Sequence, residues 1–198
     1  MLATARDLGF TGPTPEDLQI ERSLAYAAII HPVSRALDLG SGGGLPGLVL
    51  VAAWPATEWC LVDSSQKRTD WLKRAAASLG VTSRCHVICD RAENLGRGPL
   101  RTTFDLVTAR SFGPPGATAE CAAPFLKLGG ELVVADPPDP SAGRWPRAGL
   151  EHLGLVHVST EAVATAAGPV TLSRLTARSV CPDRFPRRVG VPFKRLLF

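Results

Sequence analysis

The stretch Asp38-Leu39-Gly40-Ser41-Gly42-Gly43-Gly44-Leu45-Pro46-Gly47 constrains this chain more than any other part of it. Apolar residues lead in (Val33, Ala36, Leu37), and the apolar run Leu48 to Ala53 leads out to Trp54-Pro55. The pattern predicts a strand, a glycine-rich turn and a helix. Glycines permit positive φ and let main chain approach a ligand with no Cβ in the way. The first turn of the helix then presents free N–H donors to polar or anionic groups. Pro46 suits that turn, where its missing donor costs little, and Pro55 ends the helix.

The same residues permit two cofactors. Gly42 to Gly47 satisfies G-x-G-x-x-G, the phosphate-binding turn of dinucleotide enzymes. Asp38, Gly40, Gly42 and Gly44 form the acidic-then-glycine signature of an S-adenosylmethionine pocket. A carboxylate at the strand end attracts a cationic methionine group and repels a pyrophosphate, so Asp38 favours the methyl donor.

Alternating strand and helix signals follow the turn. Strands are predicted at 36–39, 57–62, 86–89, 104–109 and 131–135, with two more at 155–159 and 170–177. Helices are predicted at 16–30, with Thr14 as N-cap, then 66–79, 116–126 and 147–153; residues 1–18 read as turns. Trp71, Leu72, Ala75 and Leu79 line one face of the second, opposite Lys67, Asp70 and Lys73, and Gly80 suits a left-handed cap. The expectation is a single α/β domain with a doubly wound, mostly parallel sheet. It divides into a short helical segment at 1–35, the main domain at 36–180 and a basic tail at 181–198.

Charge sharpens the picture. The chain carries +4 overall, but residues 174–198 hold seven Lys or Arg against Asp183, while residues 1–37 are net negative. Such a tail points to a polyanionic partner. No apolar run is long enough to span a membrane, and Arg6 and Asp7 argue against a secretory leader. The five cysteines form no C-x-x-C and suit reduced thiols in the cytosol, and the four histidines have no metal-ligand spacing.

Strand ends gather ligand-binding residues in such a sheet. Asp38, Asp63, the run Asp90-Arg91-Ala92-Glu93, and Arg110 all fall at or just after predicted strand ends. Asp63 lies at the spacing from the glycine turn at which a carboxylate takes ribose hydroxyls, in nicotinamide and adenosylmethionine sites alike. Ala92 and Glu93 would meet the adenine edge.

Asp38 to Gly47, Val62-Asp63-Ser64 with Lys67-Arg68, Arg91-Ala92-Glu93, and Thr108-Ala109-Arg110-Ser111-Phe112 resemble the glucose-inhibited division protein B family. These are guanine-N7 methyltransferases of small-subunit ribosomal RNA. Phe185-Pro186-Arg187-Arg188 and Pro192-x-Lys194 are similar to the family's basic C-terminal motif. The resemblance implies a class I S-adenosylmethionine-dependent methyltransferase (Rossmann-like) fold with a seven-stranded sheet. It implies cofactor contacts at Gly40, Leu45, Ala92, Glu93 and Arg110, added to Asp38, Gly42, Gly44 and Asp63. The substrate it implies is a guanine of 16S ribosomal RNA in the small ribosomal subunit. Candidate RNA contacts are Lys67, Arg68, Arg110, Arg187, Arg188, Lys194 and Arg195, with Phe185 or Phe193 stacking on a base. No catalytic base, metal or oligomer is expected.

Three features depart from the family pattern. The segment before the first strand is short, Gln19 and Arg22 stand where a histidine and an aspartate are usual, and Asp136-Pro137-Pro138 replaces a lysine. That D-P-P run resembles the motif of exocyclic-amine methyltransferases, but it follows the fifth strand rather than the fourth and is followed by Asp139 instead of an aromatic residue. An RNA-binding assembly factor without turnover, a paralogue methylating another substrate and a nicotinamide oxidoreductase stand as alternatives.

Overall fold

The computed structural model describes residues 2–138, 140 and 143–198; Asp139, which follows the D-P-P run, lies outside them. Seven strands form one sheet: β1 (Arg35–Leu39), β2 (Glu58–Asp63), β3 (Cys85–Cys89), β4 (Phe104–Arg110), β5 (Leu126–Ala135), β6 (Leu155–Val163) and β7 (Val170–Ala177), in the order 3-2-1-4-5-7-6. β1 to β5 are parallel, while β7 pairs antiparallel with β5 and β6. The strand order reverses between β1 and β4, which places a crevice beyond their carboxyl ends.

Nine helices are present among the described residues: α1 (Leu2–Asp7), α2 (Glu16–Leu24), α3 (Tyr26–Ile29), α4 (Gly47–Ala53), α5 (Gln66–Ser78), α6 (Ala92–Leu95), α7 (Pro115–Ala122), α8 (Arg147–Glu151) and α9 (Val191–Lys194). Strand side chains alternate between the sheet's two faces, so each strand contributes to two cores. Leu37, Leu39, Val107, Ala109, Leu132 and Val134 pack against α7 and α8. Ala36, Trp59, Leu61, Leu106 and Val133 pack against α4 and α5 on the other face. In α5, Trp71, Leu72, Ala75 and Ala76 supply the buried stripe, and Gly80 closes the helix at φ +67°.

Several boundaries differ from expectation. The helix expected over 16–30 breaks at Ala25 into α2 and α3, and Thr14 caps nothing because Pro15 takes the N-cap position. The break seats Tyr26 under the sheet, its hydroxyl donating to the Ala109 carbonyl oxygen at 2.8 Å. Leu2 to Asp7 form a helix where turns were expected. The helix expected at 116–126 stops at Ala122 in a 3-10 turn around Pro124. β5 begins at Leu126, carrying the Gly129-Gly130 pair inside the strand beside a register shift opposite Phe104 to Leu106.

The tail folds back along the body. The Arg101 guanidinium donates to the carbonyls of Gly96, Phe185 and Cys181, and Arg97 donates to that of Pro186. Arg187 grips Glu120, and Phe198 lies against Gly149. Cys60, Cys85, Cys121 and Cys181 are buried free thiols.

Candidate active site

Three hollows share walls at the carboxyl rim of the sheet. The first, about 240 Å³, lies between the ends of β1, β2 and β3 and is lined by Gly40, Asp63, Arg68, Asp90 to Glu93, Phe112 and Phe193. The second, about 230 Å³, runs along the glycine turn past Gly42, Leu45 and Arg110, closed by Phe10 to Gly12 and Gln19. The third, about 380 Å³, opens beyond β4, β5 and β7. Ser111 belongs to all three. Its φ of +54° is an uncommon one for a residue with a side chain, and such strain clusters where the surroundings must hold a set geometry.

The turn itself is built by positive φ at Gly40, Gly42 and Gly44. A Cβ on Gly40 would sit 2.6 Å from the Phe112 ring, so bare main chain is required there. Gly44 plays a different part from the one expected. It lines none of the three hollows; its missing side chain makes room for Leu48 and Trp71.

Asp38 corrects the electrostatic reading of the turn. It is 1% exposed and points to the face that carries α4, beneath the turn rather than into a hollow. Its Oδ1 accepts from Thr108 Oγ1 at 2.7 Å, and Oδ2 faces Gly47 N–H without a bond of good geometry. Burial pushes its carboxyl up to about 6, against the opposing pull of Thr108, Ser41 and Gly47. A strand-end carboxylate was expected beside a cationic ligand; the pleat turns it to the interior instead.

Asp63 stands at the rim. Oδ2 accepts from Gly42 N and Oδ1 from Ser65 N, both at 2.9 Å, with Arg68 Nη1 at 3.6 Å from Oδ2. Each carboxylate oxygen keeps a second lone pair, so two hydroxyl donors can still be taken. Ala92 and Glu93 open α6, where first-turn N–H groups have no partner within the helix. Glu93 Oε1 is taken by the N–H of Gly190 at 2.9 Å, a contact from the tail. Phe193 then packs on Phe112, ring centroids 5.5 Å apart, and on Gly113. The tail thus forms one wall of the first hollow, where sequence placed only RNA contacts. Phe185 is buried and unable to stack on a base.

Arg110 borders the second and third hollows. Its Nη2 donates to Gln19 Oε1 at 2.5 Å, while Nη1 meets no acceptor. Burial lowers its proton affinity, and the Arg22 charge lowers it further. Of the basic residues expected to face RNA, Lys67, Arg68, Arg188, Lys194 and Arg195 are exposed. Arg110 is half-buried, and Arg187 is engaged internally: both oxygens of the fully buried Glu120 carboxylate accept from it at 2.6–3.0 Å. Asp136 is likewise internal, joined to Arg144, Trp145 and Ser173. Among the described residues, no group of three or more metal-ligating side chains exists, and no helix is long and apolar enough to cross a membrane.

Residues 16–136, which contain the glycine turn, Asp63, Ala92-Glu93 and Arg110, match the family model described as rRNA small subunit methyltransferase G. The chain belongs to this family. A ribosomal RNA small subunit methyltransferase G from Prochlorococcus marinus strain NATL1A is 33% identical over 87% of the chain and 72% of that protein. Its counterpart from strain MIT 9303 is 39% identical over 82% and 68%. Among solved structures, the O-methyltransferase TomG from Streptomyces achromogenes, in complex with SAM, superposes with a TM-score of 0.62 at 18% identity. That likeness covers 90% of this chain and 89% of TomG, and at such identity it shows the fold: a class I methyltransferase sheet.

Several lining residues in this member of the methyltransferase G family escape a sequence reading. Phe10 to Gly12 come from a segment with no periodic signal. Phe112 and Ser111 lie inside the quoted Ala-Arg-Ser-Phe motif, where the residue types alone do not announce a covering ring or a strained backbone.

Proposed function

We propose that this chain uses S-adenosylmethionine to methylate N7 of a guanine in 16S ribosomal RNA of the small subunit. The observation that carries the reading is the joint placement of Gly40, Asp63, Ala92-Glu93 and Arg110 around two adjoining hollows in a chain of the methyltransferase G family.

The donor set suits that cofactor. Asp63 keeps acceptor capacity for two ribose hydroxyls, the first turn of α6 offers N–H groups to an adenine edge, and Phe112 and Phe193 supply flat apolar cover. Arg110 Nη1, without an acceptor, suits the methionine carboxylate. When bound, S-adenosylmethionine supplies an electrophilic methyl group on a sulfonium centre. Residues of the chain then need only hold the base. Guanine N7 has an in-plane lone pair and no proton to lose, so no general base is required; among the described residues that line the three hollows there is no His or Cys. The chemistry a bound donor would supply is methyl transfer to the N7 lone pair, so that no side chain has a proton to move. The third hollow, with Phe112, Pro137 and Pro138 on its walls, is where the base would enter in line and lose its water. Lys67, Arg68, Arg188, Lys194 and Arg195 supply phosphate contacts outside it.

Two measurements test this. Calorimetric titration with S-adenosylhomocysteine should give saturable one-site binding. Incubation with methyl-labelled cofactor and either small subunits or naked 16S RNA should place label on a guanine as 7-methylguanosine. Label on an exocyclic amine, or none with cofactor bound, refutes the assignment.

A further inference from the structure

The third hollow is cationic, and among the described residues its charge is not balanced from within. Three guanidinium groups reach its wall: Arg22 from α2, Arg110 from the end of β4 and Arg144 from the segment after β5. Asp136, the one carboxylate among its described lining residues, has its side chain fully buried. It is saturated by Arg144 Nε at 2.8 Å, Trp145 Nε1 at 3.1 Å and Ser173 Oγ at 2.5 Å. Arg22 and Arg110 therefore share the hollow with neutral partners. Arg110 bonds Gln19, and Arg22 Nη2 donates to the Ala167 carbonyl at 3.2 Å. Arg22 Nε and Arg110 Nη1 are both shielded from solvent and meet no acceptor.

Two like charges with idle donors at one wall are costly to maintain in a folded chain. An anion in the hollow offsets both charges, and guanidinium groups suit phosphate because they present N–H donors in a planar fork. The two arginines divide the work by position. Arg110 also borders the glycine-turn hollow, where the function proposed above seats the cofactor's carboxylate. Arg22 borders the third hollow and not the second. Flat apolar walls (Phe112, Pro137, Pro138) beside a cationic edge match a base with its phosphate attached.

We propose that Arg22 holds the phosphate of the target nucleotide, seating the guanine in the third hollow by its backbone as well as by its ring. This rests on the methyltransferase reading, and the experiment separates the two. Protein saturated with S-adenosylhomocysteine is titrated with guanosine and with guanosine 5′-monophosphate. In parallel, affinity for a 16S RNA fragment is measured from low to moderate salt.

The native chain should bind the monophosphate about tenfold tighter than the nucleoside, the size of one charge-assisted contact. Arg22→Gln, which keeps a donor for Ala167, should bring that ratio to within about twofold and lower the salt slope for RNA by about one. Arg22→Lys should restore most of the slope. Homocysteine-product affinity should stay unchanged in both variants. An unaltered ratio and slope in a folded Arg22→Gln variant overturns the proposal. So does a loss of S-adenosylhomocysteine affinity matching the loss for the monophosphate, which would put the cofactor's carboxylate on Arg22. A native chain that binds no S-adenosylhomocysteine removes the methyltransferase reading and this inference with it.

Discussion

Removing the Arg187 guanidinium should release the C-terminal segment and, through it, weaken cofactor binding. Glu120 sits on α7 with no exposed side-chain surface, and Arg187 meets it through Nε and Nη2 as well as the backbone N–H. Arg187→Ala leaves that carboxylate with the backbone donor alone. Breaking a buried pair from one side costs about 3–5 kcal/mol. The Arg187 side chain is 27% exposed, so water can reach the vacated site, which brings the cost below that range, to about 2–3 kcal/mol. The cost falls first on the tail, whose other ties include carbonyl contacts to Arg97 and Arg101, the Gly190–Glu93 bond and the packing of Phe185 and Phe198. Hydrogen exchange should show amide protection over residues 181–198 falling by about 30- to 150-fold, the equivalent of that energy. Because Phe193 rides on the same segment, S-adenosylhomocysteine affinity should fall too. Arg188→Ala, at an exposed position, should change stability by less than about 0.5 kcal/mol while weakening RNA binding. A cycle with Glu120→Gln isolates the pair. Unchanged protection and cofactor affinity in Arg187→Ala would refute the claim that this ion pair anchors the wall.

Other outcomes follow from single contacts. Burial raises the Asp38 carboxyl from 3.8 to about 6, so between those values the folded chain holds more protons than the unfolded one. Stability contributed by Asp38 should therefore decline as pH rises from about 4 to 6 and stay level above, by an amount on the order of 1–3 kcal/mol. Denaturant titrations of Asp38→Asn should lack that slope. Gly43→Ala would overlap the Thr11 methyl and bring Cβ within 2.8 Å of the Phe10 carbonyl oxygen. Displacing that backbone should cost about 1–3 kcal/mol in thermal or denaturant unfolding. Tyr26→Phe removes the buried bond to the Ala109 carbonyl and should cost about 1–2 kcal/mol.

What the sequence made legible was local. Apolar patterning within the strands and the α5 stripe carried their signals in five to thirteen neighbouring residues, so β1 to β4, β7, α5 and α8 were placed within a residue or two of their bounds. The failures have tertiary causes. No residue at 24–26 breaks a helix by its own propensity; the bond from Tyr26 to β4 does. The strand expected at 131–135 starts earlier, at Leu126, because nothing local reveals that β4 will run beside it. That Gly40, Asp63, Ala92 and Arg110 would lie together was readable because strand ends converge in any parallel sheet. Asp38 was misread for the opposite reason: being at a strand end says nothing about which face the side chain takes. Arg187 was misread because a basic tail looks alike whether its charges meet a partner or a buried glutamate 67 positions earlier.

The site therefore has two origins. The sheet supplies the rim through elements between β1 and β4, whereas the covers come from the two ends of the chain. Phe10 to Gly12, Gln19 and Arg22 close the glycine turn and the third hollow from one side. Gly190 and Phe193 close the first hollow from the other. On the proposed function, the rim residues and the covers over the first two hollows (Phe10 to Gly12, Gln19 and Phe193) answer to the cofactor, while Arg22, which borders only the third hollow, answers to the RNA. Bonds that hold the covers include Arg110 to Gln19, Glu93 to Gly190 and Arg187 to Glu120. Exchanging Arg22 should then alter which RNA is accepted before it alters cofactor affinity, whereas exchanging Asp63 should do the reverse.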